Sequence, residues 1–190
     1  METATATLDA AFWITSGVIL FLLVLSGFFS GSETALTAAS RGKLRSQADK
    51  GSKGAERALK ITEDNEKLIG SVLLGNNLVN ILAASLATSI FTRAFGESGV
   101  ALATLVMTLL VLIFAEVLPK TYAITNSEKA ASLVSRPISL VVHVFAPVVA
   151  AVRLLVRGVL RIFGVRIDPD SNILDVHAEI EGALAMGHQE

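Results

Sequence analysis

Six polar side chains stand in stretches of sequence that are otherwise apolar: Ser26, Ser30, Asn76, Asn77, Asn80 and Glu116. What they offer is oxygen. One carboxylate, amide carbonyls and hydroxyls make a donor set suited to Mg2+, Ca2+ or Mn2+ rather than to zinc or copper. The chain has no cysteine, so no thiolate competes for that role. Ser26, Ser30 and Glu33 follow at i, i+4 and i+7, on one helix face, and Asn80 falls three and four residues after Asn77 and Asn76. A carboxylate inside a membrane segment is costly, and function is the default reading of Glu116.

The elements that must hold these residues follow from composition. The 190 residues are 52% hydrophobic and 17% charged, against about 25% charged in soluble domains. Ala11–Phe29, Leu68–Phe91 and Val100–Ala115 carry no charge over 19, 24 and 16 residues. A span needs about 20 mostly apolar residues, so all three are candidates. The first is not a convincing signal peptide, having no basic residue before it and no small-residue cleavage site after it.

Basic residues set the expected orientation. Of 16, eight lie between spans one and two, from Arg41 to Lys67, and seven follow span three, from Lys120 to Arg166. Only Arg93 lies between spans two and three. The positive-inside rule puts both blocks in the cytoplasm, with the N-terminus outside and the C-terminus inside. Residues 41–67 read as a short cytoplasmic helix broken near Gly51 and Gly54. The apolar stretch 138–152 has 15 residues, flanks of Arg136 and Arg153, and Pro147 to kink it. Arg153, Arg157 and Arg161 then make a basic stripe, which reads as a re-entrant or juxtamembrane belt on the cytoplasmic leaflet. A fourth full span is the alternative.

The expected fold is thus an all-α membrane protein with spans over 11–39, 66–92 and 99–119 and a belt helix over 130–165. Residues 166–190 read as an acidic cytoplasmic linker. Counted from the outer ends, Ser26 and Asn76 lie 15 residues deep and Glu116 lies 16 deep. At 1.5 Å per residue that is roughly 22–24 Å for all three. Three helices therefore carry their least lipid-compatible groups at one level. Pro119 lacks an N–H and deprives the Ala115 carbonyl of its helical partner, while Gly75 weakens the helix before Asn76. Lys120, four residues after Glu116, can pair with it.

Structural roles compete with these. Gly27 and Gly31 form a G-x-x-x-G suited to close helix packing, and the asparagines can join helices by hydrogen bonds. Glu116 can be a structural partner of Lys120, and Glu33 can be simply wet. His143 reads as an interfacial residue, and Trp13 and Tyr122 as interfacial anchors. No phosphate-cradling loop, H-E-x-x-H or nucleophile elbow occurs, so the chain is expected not to be an enzyme. The basic belt adjoins membrane segments, which favours anionic lipid over nucleic acid.

SGFFSGSETALTA at 26–38, LLGNNLVNILAAS at 73–85 and AEVLPKTYA at 115–123 resemble signature segments of the CorB/CorC and cyclin-M magnesium transporters. The resemblance covers residues 10–165, with Ala115 where many relatives have glycine. It implies a homodimer in the inner or plasma membrane that exports Mg2+, coupled to Na+. ATP would act only through CBS modules that this chain lacks. Carried onto this sequence, it implies Mg2+ held by Ser26, Ser30, Asn77, Asn80 and Glu116, with the Gly75 and Ala115 carbonyls as further ligands. Two alternatives stay open: a membrane scaffold regulating another transporter, and a carrier of a different divalent cation.

Overall fold

The computed structural model describes residues 10–165, all in helices or their short connections, with no strand among them. The expected linker at 166–190 lies outside the described residues. In chain order the helices are α1 (Ala10–Ala38), α2 (Arg41–Asp49), α3 (Lys53–Ile61), α4 (Asn65–Phe95) and α5 (Ser98–Leu110). A π-helical turn, Val111–Val117, leads into α6 (Leu118–Thr125), and α7 runs Ser127–Ile162.

Boundaries follow from local chemistry. The Ser40, Ser52 and Asp64 side chains accept hydrogen bonds from the backbone N–H groups of Lys43, Ala55 and Lys67, capping α2, α3 and α4. Each cap satisfies a donor that a helix start leaves unpaired. The α4–α5 turn uses Gly96 at φ +68°, a conformation glycine adopts without penalty. Gly99 presses on the Phe91 carbonyl with no room for a Cβ, which lets α5 fold back along α4.

Two compact units divide the chain, residues 1–149 and 150–190. In the first, α1 packs along α4 and also against the π turn and α6, while α4 packs along α5. Leu22, Leu23, Phe29, Val72, Val79 and Ala83 are among the residues this burial removes from solvent. Leu20, Phe21, Val24, Ile81 and Leu105 stay exposed. In water so much exposed apolar surface marks an interaction site; on helices of this length it is the face a bilayer covers. The α2–α3 hairpin docks on the start of α7, where a Cβ on Gly54 would come within 2.7 Å of the Ser132 carbonyl oxygen. Lys43 pairs with Glu128 at 3.4 Å beside it. In the second unit the described residues are the end of α7 and the turn to residue 165, with Arg157 and Arg161 exposed.

One expectation is corrected. No break or re-entrant turn occurs within residues 130–162: α7 is a single helix of 36 residues with Pro137 and Pro147 inside it. A proline removes one backbone hydrogen bond and kinks a helix without having to end it. By length and composition four helices can therefore cross a membrane, Ala10–Ala38, Asn65–Phe95, Ser98–Thr125 and Ser127–Ile162, where the sequence led us to expect three and a belt.

Candidate cation site

Glu116 lies in the π turn, and a π turn shifts every later side chain around the helix axis. Leu118 N–H bonds the Ile113 carbonyl five residues back, so Pro119, next in that register, faces the Phe114 carbonyl and cannot donate to it. The sequence led us to expect the Ala115 carbonyl in that position; Ala115 is fully buried. Helix α1 fits this irregular segment through its two glycines. A Cβ on Gly27 would stand 3.0 Å from the Phe114 oxygen and 3.1 Å from the Pro119 ring, and one on Gly31 would stand 3.2 Å from Pro119. The G-x-x-x-G therefore seats the proline that orients Glu116. It packs and positions at once.

Glu116 is the centre of a hydrogen-bonded layer across three helices. Asn76 Nδ2 donates to its Oε1 at 3.3 Å, and Ser30 Oγ donates to its Oε2 at 3.2 Å. Lys120 Nζ reaches the same Oε2 at 3.0 Å. One shell out, Ser26 Oγ donates to Asn76 Oδ1 at 2.7 Å, and Asn80 Nδ2 approaches that oxygen at 3.5 Å. Ser26 and Ser30 are buried, whereas the Glu116 side chain is 29% exposed. Asn80 Oδ1 is buried with no hydrogen-bond partner, and a buried polar atom left unpaired is costly.

Asn80 and Glu116 also line a cavity of about 470 Å³ between α4 and the α5–π stretch. Its other walls are mostly apolar, Ile81, Ala84, Met107 and Val111 among them. The lining hydroxyls of Thr88, Thr104 and Thr108 are spent on carbonyls of their own helices. Among the described residues no group of three or more His, Cys, Asp or Glu forms. The carboxylate itself faces an amide nitrogen, a hydroxyl and the Lys120 ammonium. The hydroxyl and amide oxygens of Ser26, Ser30, Asn76 and Asn80 in the same layer are the donor chemistry of a hard cation.

The model of the cyclin M transmembrane N-terminal domain matches residues 17–190. The chain belongs to the cyclin M transmembrane family. It is 42% identical over 144 residues to the UPF0053 inner membrane protein YfjD of Escherichia coli, covering 76% of this chain and 34% of that protein. A UPF0053 protein of Haemophilus influenzae is 36% identical over 157 residues, 83% of this chain and 37% of that one. The polyamine export protein of Salmonella typhimurium is 29% identical over 184 residues, 88% and 41% of the respective chains. The chain thus spans about a third of the length of the first two relatives.

In this cyclin M domain Ser26, Ser30, Asn80 and Glu116 come together. Asn77 does not join them: it is exposed, and the buried amide beside Glu116 belongs to Asn76. The signal for Asn76 was its depth, equal to that of Ser26 on the neighbouring span. Gly75 is buried under the Phe29 ring, 2.9 Å from where its Cβ would be, so its small size serves packing.

Proposed function

We propose that this cyclin M domain carries Mg2+ out of the cell, coupled to Na+, as a homodimer in the inner or plasma membrane. It is a carrier and not an enzyme, since the layer is suited to holding a cation and to letting it go. The supporting observation is the Glu116 layer: one carboxylate, the Ser26 and Ser30 hydroxyls, and the Asn76 and Asn80 amides at one level of three membrane-length helices. Mg2+ sheds water reluctantly, and close-set oxygens around a single charge would offset part of that cost. The family resemblance also suggests Asn77 and the Gly75 and Ala115 carbonyls as ligands; Asn77, exposed in this structure, would have to turn inward to serve. The basic residues of α7 hold its polar ends at the cytoplasmic face, with the C-terminus on that side and lipid as the neighbour. Nucleic acid has no part, and ATP acts only through CBS modules outside these residues.

The test is flux. Protein reconstituted in vesicles should move Mg2+ down an opposing Na+ gradient, and Glu116→Gln should reduce the rate at least tenfold. Equal flux in both would reduce the layer to helix packing.

A second reading rests on the Salmonella typhimurium relative, named a polyamine export protein. The apolar walls beside Glu116 would suit an alkyl chain, with an ammonium group on the carboxylate. If polyamine is the cargo, spermidine should be transported and Mg2+ should not compete with it.

A further inference from the structure

We propose that Lys120 is a built-in competitor for the cargo, an ammonium group that occupies Glu116 whenever no cation does and so sets the apparent affinity of the site. The inference rests on the Mg2+-carrier reading above.

The geometry carries it. Lys120 Nζ lies 3.0 Å from Glu116 Oε2 and is the one charged partner of that carboxylate in the layer. Its side chain is 44% exposed, so it has room to swing away. The other partners, Asn76 Nδ2 and Ser30 Oγ, are neutral donors that can turn their oxygens inward when a cation enters. Lys120 cannot do so, because an ammonium has donors and no acceptor. Cation and ammonium therefore exclude each other at Oε2. Asn80 Oδ1, buried and unpartnered, is already an acceptor without a donor. Around the carboxylate, by contrast, every contact is a donor. This is the arrangement of a site holding an internal cation.

Two consequences follow. The empty site stays neutral, so a carrier can return without a bare carboxylate in the membrane, where an unpaired charge is costly. Bound cargo is also easier to release, since a tethered ammonium at high local concentration takes its place. Apparent affinity falls with the fraction of sites that Lys120 leaves open.

The experiment titrates the unfolding temperature of the purified chain with MgCl2 against choline chloride at matched ionic strength. Wild type is compared with Lys120→Met, Lys120→Gln, Lys120→Arg and Glu116→Gln. Having two neutral variants keeps the comparison standing if one of them fails to fold. With competitor occupancy between about two-thirds and nine-tenths, the neutral variants should bind Mg2+ roughly 3- to 10-fold more tightly. Lys120→Arg, which keeps a cation there, should stay within about twofold of wild type. Without Mg2+ the neutral variants should unfold at a lower temperature than wild type, and at saturating Mg2+ the difference should close. Loss of a purely structural lysine would lower stability by the same amount at every Mg2+ concentration. Unchanged or weaker Mg2+ binding in both neutral variants, with wild type protected and Glu116→Gln not, would overturn the inference and leave the carrier reading intact. Absence of Mg2+ protection in all five proteins would overturn both.

Discussion

Asn76 and Asn77 are adjacent in sequence and opposite in circumstance, which makes them the sharpest contrast at the residue scale. Asn76 is hydrogen-bonded to Glu116 and Ser26, and Asn77 is exposed. Asn76→Ala strands a hydroxyl and a carboxylate oxygen and should destabilise the protein by about 1–3 kcal/mol. Asn77→Ala should stay within about 0.5 kcal/mol. Chemical unfolding of the two variants checks this, and equal losses would contradict the geometry. Much of the site was legible at this scale. Equal depth on three helices brought Ser26, Asn76 and Glu116 to one level without any structure. Which of two neighbouring asparagines turns inward was not legible, because 100° of helix rotation separates them and both stand beside the same glycine. Nor was the π turn, which no residue type announces and which moves the missing partner from Ala115 to Phe114.

At the scale of elements the glycines decide how closely helices approach. A Cβ at Gly17 meets nothing within 4 Å, whereas one at Gly27 meets the Phe114 carbonyl and the Pro119 ring. Gly17→Ala should be neutral or stabilising by up to about 1 kcal/mol, the helix-propensity gain. Gly27→Ala should push the segment carrying Glu116 away from α1 and weaken Mg2+ protection while the helices persist by circular dichroism. Protection unchanged in Gly27→Ala would show that the proline seat does not position the site. Gly54→Ala drives a Cβ toward the Ser132 carbonyl oxygen; overpacking of this kind costs roughly 1–3 kcal/mol, and a fall in unfolding temperature measures it. The three apolar runs announced α1, α4 and the α5–α6 stretch because an uncharged run of that length has few other uses. Helix α7 was harder to read. Its prolines and flanking arginines argue for interruption, yet the helix continues because each proline forfeits only one hydrogen bond.

For the molecule as a whole, the absence of cysteine makes sidedness directly measurable. Single cysteines at Arg45 and Arg157 should both react with a membrane-impermeant thiol reagent only from the cytoplasmic side, if the basic residues at both ends of α7 keep it on that face. Labelling from opposite sides would make α7 a full crossing and reverse the position of the C-terminus. The 29 residues of α1 and 31 of α4 are, like the 36 of α7, long enough to span a bilayer. What the helices hold between them is the claim on which the rest depends, that Glu116 and its layer bind the cargo cation. The measurement is thermal unfolding of the purified chain with and without MgCl2, wild type beside Glu116→Gln, with choline chloride at equal ionic strength. A ligand that binds only the folded state stabilises it by mass action, about 2.7 kcal/mol at a hundredfold excess over Kd. The account predicts Mg2+-specific protection of wild type that is lost in Glu116→Gln. The same unfolding temperature with and without Mg2+ in wild type, or equal protection in the variant, would contradict it.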